Sequence, residues 1–173
     1  MDITKEILRE LNLTATPLSN FTGQDKLARI KKLIVDSNGR VLRENNRNIH
    51  LSASAVVFNQ DTMFFIEHPY LKKRLLPAGH VEFGETPLET AVREFNEETG
   101  YFVIPNKLYP LLDVNLINIP ENTFTQEPAH THIDFRYKLS LSLKKPIRAE
   151  LETYLMGKYQ VPNEFLKYFE LVK

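Results

Sequence analysis

The helix predicted over residues 87–99 constrains the fold of this chain more than any other segment. Thr86 fits the N-cap, Pro87 fits the first helical position, and Glu89 lies three residues after the cap, as in a capping box. Gly100 fits the end of the helix, where a left-handed residue commonly stops it. The helix also carries one apolar stripe, formed by Leu88, Ala91, Val92 and Phe95. We therefore expect this helix to pack against a core through that stripe.

Three glutamates lie on another stripe of the same helix. Glu94, Glu97 and Glu98 are spaced i, i+3 and i+4, so their carboxylates are neighbours on the helix surface. One interpretation is a solvated face in which Arg93 pairs with Glu89 and Glu97. The other is a cation site, because clustered like charges repel and hard carboxylate oxygens suit Mg²⁺ or Mn²⁺.

The residues that flank the helix favour the second interpretation. The stretch from Gly79 to Tyr101 resembles the Nudix box, G-x5-E-x7-R-E-U-x-E-E-x-G-U, in which U is a bulky apolar residue. It matches at every fixed position: Gly79, Glu85, Arg93, Glu94, Glu97, Glu98 and Gly100. The two U positions hold Phe95 and Tyr101, aromatic where aliphatic residues are usual, and both still suit packing. The chain is thus similar to the Nudix hydrolase superfamily.

This resemblance implies an α+β fold, a Nudix-like α/β/α sandwich with a mixed central sheet over residues 49–173. A helical N-terminal extension, residues 1–48, would precede it. The implied activity is divalent-metal-dependent hydrolysis of a diphosphate (phosphoanhydride) linkage, in a nucleoside diphosphate joined to another group. The implied cofactor is Mg²⁺, with Mn²⁺ as a substitute. A nucleotide-binding module without turnover and an RNA 5′-end pyrophosphohydrolase are the alternatives.

The resemblance also implies roles for individual residues. Glu94, Glu97 and Glu98 would hold the metal, with the Gly79 carbonyl as a further oxygen ligand. Arg93 would orient the glutamates, and Glu85 would pair with Arg93 or brace the loop. The general base would be Glu94 or Glu98.

A strand predicted over residues 130–143 carries a second group of candidate residues. His130, His132, Asp134, Arg136 and Lys138 alternate with apolar residues and therefore share one face. We interpret this face as a wall of the substrate cleft, in which His132, Asp134 and Arg136 bind substrate. A polar face in water is the alternative, and a zinc site at His130, His132 and Asp134 is a third.

The remaining pattern predicts a helical start followed by strands. Two apolar stripes predict helices before Thr16-Pro17 and before Asn38-Gly39, and apolar runs at 49–58 and 62–67 predict a hairpin. Residues 107–117 predict a strand, and 163–172 predict the last helix. Residues 147–160 fit either a helix or a strand.

Composition excludes several classes of protein. None of the 173 residues is cysteine, which excludes disulfides, thiolate zinc sites and a cysteine nucleophile. Lys and Arg together number 22, as do Asp and Glu, so the zero net charge gives no pull toward nucleic acid or acidic membranes. Neither a signal peptide nor a transmembrane run is recognisable, so we expect a cytoplasmic protein. The expected partner is a small phosphorylated substrate, and a homodimer is left open.

Overall fold

The computed structural model of the chain describes residues 3–14, 20–105, 107–121, 126 and 128–172. Within these residues, three α-helices and seven strands precede a C-terminal 3₁₀ helix. In chain order they are α1 (Ile3–Leu13), α2 (Gln24–Asp36), β1 (Ile49–Asn59), β2 (Thr62–Glu67), β3 (Arg74–Leu75), β4 (Ala78–His80), α3 (Pro87–Thr99), β5 (Leu111–Ile119), β6 (His130–Ser140), β7 (Thr153–Gly157) and the 3₁₀ helix (Asn163–Leu171).

The sheet is mixed, as expected, and β1 lies at its centre. Its strand order is β3-β2-β1-β6-β5, with β4 paired to β1 and β7 paired to β2. β1 runs antiparallel to β2 and β4 but parallel to β6, with His50 opposite His132. The predicted hairpin is confirmed, since β1 and β2 pair through Phe58 and Met63. The ends of three strands, β1, β4 and β6, therefore meet beside α3.

Each face of the sheet packs against helices. On one face, alternate β1 residues such as Leu51 and Ala53 share a core with Phe95 of α3, Leu11 of α1 and Ile30 of α2. On the other face, side chains of β1 and β2 pack under the 3₁₀ helix, including Val56, Phe65, Phe165 and Tyr168. Fully burying an apolar side chain contributes about 1.5–3 kcal/mol, so both layers stabilise the sheet. The predicted α/β/α sandwich and its preceding helices are confirmed.

Some boundaries differ from the predictions. The strand expected at 107–117 begins only at Leu111, because Pro110 has no N–H to donate to the sheet. β6 ends at Ser140 rather than at 143. The predicted last helix is confirmed, and it is of the 3₁₀ type. Residues 147–160, which fitted either a helix or a strand, contain strand β7. Thr16-Pro17, expected to end the first helix, lies outside the described residues, and α1 ends at Leu13.

The division of the chain at residue 48 stays a prediction. The side chains of Leu11 and Ile30 belong to the same core cluster as those of β1 and β6. Across the described part of the chain, no helix is both long and apolar enough to cross a bilayer.

Candidate active site

Helix α3 is held at both ends by the contacts that its sequence predicts. The Thr86 hydroxyl accepts a hydrogen bond from the Glu89 backbone N–H (3.2 Å), and the Glu89 carboxylate accepts one from the Thr86 N–H (2.8 Å). Gly100 adopts a left-handed conformation with φ of 72°, and a Cβ there would lie 2.4 Å from the Ile147 carbonyl oxygen. The helix is therefore a rigid support for its glutamates.

Gly79 lies in close contact with the Glu94 side chain, whose flexible end would have to move if residue 79 carried a Cβ. A Cβ on this residue would lie 1.8 Å from Oε1 of Glu94 and 2.2 Å from Cδ. The Glu94 carboxylate therefore lies directly against the Gly79 backbone. This contact brings the first and fourth fixed residues of the motif together, across strand β4 and helix α3.

Arg93 is the centre of the hydrogen-bond network. Its Nε and Nη2 donate to the two carboxylate oxygens of Glu85, at 2.7 and 2.9 Å. Its Nη1 donates to Glu94 (2.6 Å) and to Glu97 (3.3 Å), and its Nη2 also reaches the His80 carbonyl oxygen (3.3 Å). Bidentate pairing of this kind fixes both position and orientation. Arg93 thus links the loop before α3 to two of the three helix glutamates.

The pKa values separate Glu85 from the helix glutamates. Hydrogen bonds from Arg93 are the main cause that lowers the pKa of Glu85 to about 2. Burial raises the pKa of Glu94, although Arg93 opposes this effect. Burial also raises the pKa of Glu98 to about 8, with the charges of Glu94, Glu150 and Glu97 adding to the effect. Burial therefore disfavours the charged forms of Glu94 and Glu98, whereas the hydrogen bonds from Arg93 favour the charged form of Glu85.

This donor set fits a divalent cation. Glu94, Glu97 and Glu98 offer hard carboxylate oxygens, and one oxygen of Glu98 is oriented by the Ala78 N–H at 2.9 Å. A cation at this cluster would lower the free energy of carboxylates that burial and mutual repulsion now destabilise. The metal-binding roles of these residues and of the Gly79 carbonyl stay predictions.

A cluster of four histidines lies on the other side of β4. Gly79 faces Glu94, and because alternate residues of a strand face opposite ways, His80 faces His132, with their Nε2 atoms 3.1 Å apart. His50 and His130 complete the group, and one ring nitrogen from each of the four lies within 4.8 Å of the others. Burial is the main cause that lowers the pKa of His80 to about 4 and that of His132 to about 2, with neighbouring rings adding to it.

Asp134 and Arg136 are not part of this cluster. Asp134 accepts hydrogen bonds from the hydroxyls of Ser52 (3.1 Å) and Ser54 (2.7 Å) and from Nε of Arg136 (2.8 Å). Arg136 also donates to the Tyr168 hydroxyl at 3.0 Å. Both side chains are buried, so the interpretation of this face as a solvated polar surface is wrong for them. Substrate binding by His132, Asp134 and Arg136 stays a prediction.

A cavity of about 640 Å³ adjoins the loop that follows Gly79. His80 and Glu82 contribute to one wall, and Arg43 and Arg47 bring two guanidinium groups to it. Arg43 lies close enough to add to the lowering of the His80 and His132 pKa values. Glu44 and Glu82 also line the cavity, so its two cationic side chains are matched by two anionic ones.

Sequence reasoning missed His50, His80 and the two cavity arginines as site residues. A partial signal for the two histidines was present in the sequence, because His50 lies in a predicted strand and His80 directly follows Gly79. No sequence signal marks Arg43 and Arg47, which lie in a polar loop before β1.

The comparisons with known proteins agree with this geometry. The family model described as NUDIX domain matches residues 48–165. A protein of Lactococcus lactis subsp. cremoris (strain MG1363), named "Probable DHNTP pyrophosphohydrolase", is 51% identical over 146 residues, which are 84% of this chain and 87% of that protein.

Solved structures show the same fold at low sequence identity. A NUDIX-family hydrolase from Clostridium perfringens superposes with a TM-score of 0.54 at 19% identity, over 74% of this chain and 99% of that one. A UDP-X diphosphatase superposes with a TM-score of 0.54 at 16% identity, over 98% of this chain and 94% of that one.

Proposed function

The chain belongs to the Nudix family and is a Nudix-type pyrophosphohydrolase, and on this premise we propose that it cleaves DHNTP, dihydroneopterin triphosphate, in a divalent-metal-dependent reaction. The observation that supports this choice of substrate is the 51% identity to the Lactococcus lactis protein over most of both chains. Water would add to the triphosphate chain, and the anhydride bond that breaks would leave a monophosphate ester and diphosphate.

The arrangement around α3 supports this reaction. When bound at Glu94, Glu97, Glu98 and the Gly79 carbonyl, Mg²⁺ supplies Lewis-acid charge to phosphoryl oxygens and makes a water more acidic. Arg93 positions Glu94 and Glu97 while Glu85 holds the guanidinium in place. Glu98, oriented by the Ala78 N–H, is the general base that we favour, and Glu94 is the second candidate.

Two arginines of the cavity beside His80 are candidate contacts for a phosphorylated substrate. Arg43 and Arg47 lie on its wall, and guanidinium groups match phosphate oxygens in geometry as well as charge. His80 of this wall follows Gly79 in β4 but faces the opposite way, so the cavity lies on the histidine side of the strand.

The proposal is tested by substrate screening on the purified full-length chain. We expect release of diphosphate from DHNTP in Mg²⁺, loss of release in EDTA, and recovery when Mg²⁺ or Mn²⁺ is restored. GTP, UDP-glucose and a 5′-triphosphate RNA oligonucleotide are run beside it. Faster turnover of the sugar nucleotide or of the RNA would overturn the substrate, and full activity in excess chelator would overturn the metal dependence.

A matched pair of variants on α3 tests the residues. Glu94→Gln and Glu98→Gln are each expected to reduce turnover by about 100-fold or more, since each removes a metal ligand or the base. Glu89→Gln makes the same substitution on the same helix but keeps the capping box, because glutamine also serves there. Glu89→Gln should therefore retain turnover.

The cytoplasmic location and the state of association stay predictions.

A further inference from the structure

Three adjacent strands bring four of the five histidines of the chain together. His50 of β1 lies opposite His132 of β6, and His130 lies two residues earlier on the same face of β6. His80 of β4 lies opposite Ser52, which shares the face of His50. Sheet register, rather than a flexible loop, thus places all four rings.

The spacing of the ring nitrogens is close to that of a metal site. The Nε2 atom of His132 lies 3.1 Å from that of His80 and 3.0 Å from that of His130. Four nitrogens bound to one zinc at its usual bond length are about 3.3–3.4 Å apart. The His50 ring centroid lies 4.8–5.0 Å from the other three ring centroids. Small ring movements would bring all four nitrogens onto one ion.

Two of the rings are held by backbone carbonyl oxygens, in the way that the second ring nitrogen of a metal-binding histidine is commonly held. Nδ1 of His50 lies 3.0 Å from the Asn46 carbonyl oxygen, and Nδ1 of His130 lies 2.8 Å from that of Pro128. A carbonyl oxygen only accepts, so each Nδ1 carries the proton. In a neutral ring this leaves the lone pair on Nε2, which points toward the cluster.

We propose that His50, His80, His130 and His132 bind one Zn²⁺ ion, at a site separate from the α3 glutamates. Gly79 and His80 are neighbours in β4 but face opposite ways, one toward Glu94 and the other toward His132. The two sites thus lie on opposite sides of the same strand.

The donor set selects zinc over magnesium. Four imidazole nitrogens are borderline-soft ligands that suit Zn²⁺ in tetrahedral geometry, whereas Mg²⁺ requires oxygen ligands. Imidazole binds a metal in its neutral form, through the ring nitrogen that carries no proton. The positive charge of the nearby Arg43 guanidinium repels a bound cation. The proposal therefore requires that coordination by four imidazole nitrogens contribute more binding free energy than this repulsion costs. The zinc site considered from the sequence contained His130, His132 and Asp134. In the site proposed here, His50 and His80 join the two histidines, and Asp134 is not a ligand.

The ion would tie β1, β4 and β6 together beneath Gly79. His80 is one residue from the glycine against which Glu94 packs, so zinc would restrain the backbone that supports the glutamate site. The cavity lined by His50 and His80 gives the ion a path from solvent.

The test uses the full-length chain, stripped with chelator and returned to buffer that contains excess Mg²⁺ so that the glutamate site is saturated. We expect one equivalent of Zn²⁺ to remain bound after gel filtration, measured by elemental analysis, and to raise Tm. Co²⁺ in its place should give the intense visible absorption of a four-coordinate ion. Absence of bound zinc, or a weak six-coordinate cobalt spectrum, would overturn the proposal.

Variants separate this site from the others. His132→Ala and, independently, His130→Gln are each expected to weaken zinc binding by at least about 10–100-fold. His68→Ala, which removes the fifth histidine, and Glu97→Gln on α3 should leave it unchanged. Zinc retained in both cluster variants, or lost in His68→Ala or Glu97→Gln, would contradict the site. Circular dichroism of each stripped variant confirms that it is folded.

Discussion

At the scale of single residues, two close contacts set the positions of the glutamates in the candidate active site. Gly79 is the clearest case, because the Glu94 carboxylate occupies the space that a Cβ would need. Arg93 is the other, since one guanidinium group contacts Glu85, Glu94 and Glu97 together. We therefore expect a change at either residue to displace the glutamates, with a smaller effect on the stability of the fold.

Gly79→Ala should reduce turnover by about 100-fold with little change in Tm. The new methyl group would displace the end of the Glu94 side chain, and a misplacement of about 1 Å in a catalytic group costs roughly that factor. Gly157→Ala is the matched control, because its nearest neighbour would be Oε1 of Gln160 at an ordinary 3.6 Å. Steady-state kinetics and thermal melts of both variants are the measurements. Equal turnover in the two variants would show that the contact is unimportant.

Glu97→Gln separates a metal site from a salt-bridge surface. In EDTA the variant should melt close to wild type, because lost pairing with Arg93 and relieved repulsion are each a few tenths of a kcal/mol. With Mg²⁺ at a hundredfold excess over Kd, wild type should gain about 2.7 kcal/mol and the variant less. Turnover of the variant should be nearly lost. The opposite pattern, a lower melt in EDTA with no effect of Mg²⁺ on either protein, would indicate a structural ion pair.

At the scale of elements, Asp113 of β5 holds the N-terminal segment and the 3₁₀ helix to the sheet. It accepts hydrogen bonds from the Thr22 hydroxyl (2.8 Å) and the Tyr168 hydroxyl (2.7 Å), and it forms an ion pair with Lys167. Burial by itself would raise the pKa of Asp113, but the bonds from Lys167, Asn115 and Tyr168 outweigh it and lower the pKa below its usual value. This fully buried carboxylate therefore contributes stability in its ionised form.

Asp113→Asn should cost about 1.5–3 kcal/mol of unfolding free energy near pH 7, because the hydrogen bonds to a buried charged carboxylate become weaker bonds to a neutral amide. Lys167 is partly exposed, so its own charge stays hydrated in the variant. The cost should shrink in acid. The folded pKa lies below the unfolded value, so the unfolded chain takes up the proton first as pH falls. Wild type therefore loses this stability progressively below about pH 4–5, and the variant does not.

Urea unfolding across this pH range measures both effects. Asp61→Asn, in the exposed turn between β1 and β2, is the matched control and should behave as wild type throughout. A difference between wild type and Asp113→Asn that stays constant with pH would show that the carboxylate acts only through shape.

At the scale of the whole molecule, the N-terminal helices and the Nudix domain share one core. Leu11 of α1 and Ile30 of α2 are fully buried in the cluster that contains Phe95 of α3 and Phe135 of β6. The Tyr137 hydroxyl, in the middle of β6, donates to the Glu10 carboxylate of α1 at 2.9 Å. We therefore expect residues before 48 to unfold together with the rest of the chain.

Leu11→Ala should lower the unfolding free energy by about 2–5 kcal/mol, the range for a large core side chain replaced by alanine. Leu13→Ala, on the same helix but 75% exposed, should change it by no more than about 0.5 kcal/mol. Both variants should unfold in a single transition, monitored by circular dichroism and by loss of turnover. A separate early transition in Leu11→Ala would instead show that the extension unfolds independently.

The sequence by itself determined the parts of this protein that depend on neighbouring residues. The caps of α3, the stripe of glutamates and the alternation of β6 are local, because helix and strand periods place side chains within a few residues of one another. The match to the Nudix box then predicted the sandwich and the reaction class, and the fold and family confirm both.

Only the tertiary structure decided which distant residues meet. Thr22 and Asp113 are 91 positions apart, and His80 and His132 are 52 apart, so no local period relates them. Strand order and register bring His50 of β1 beside His132 of β6, and they place Gly79 under Glu94 while turning His80 the other way. Such pairings arise from how the whole sheet assembles, since closing long loops leaves many alternatives that only the packed core distinguishes.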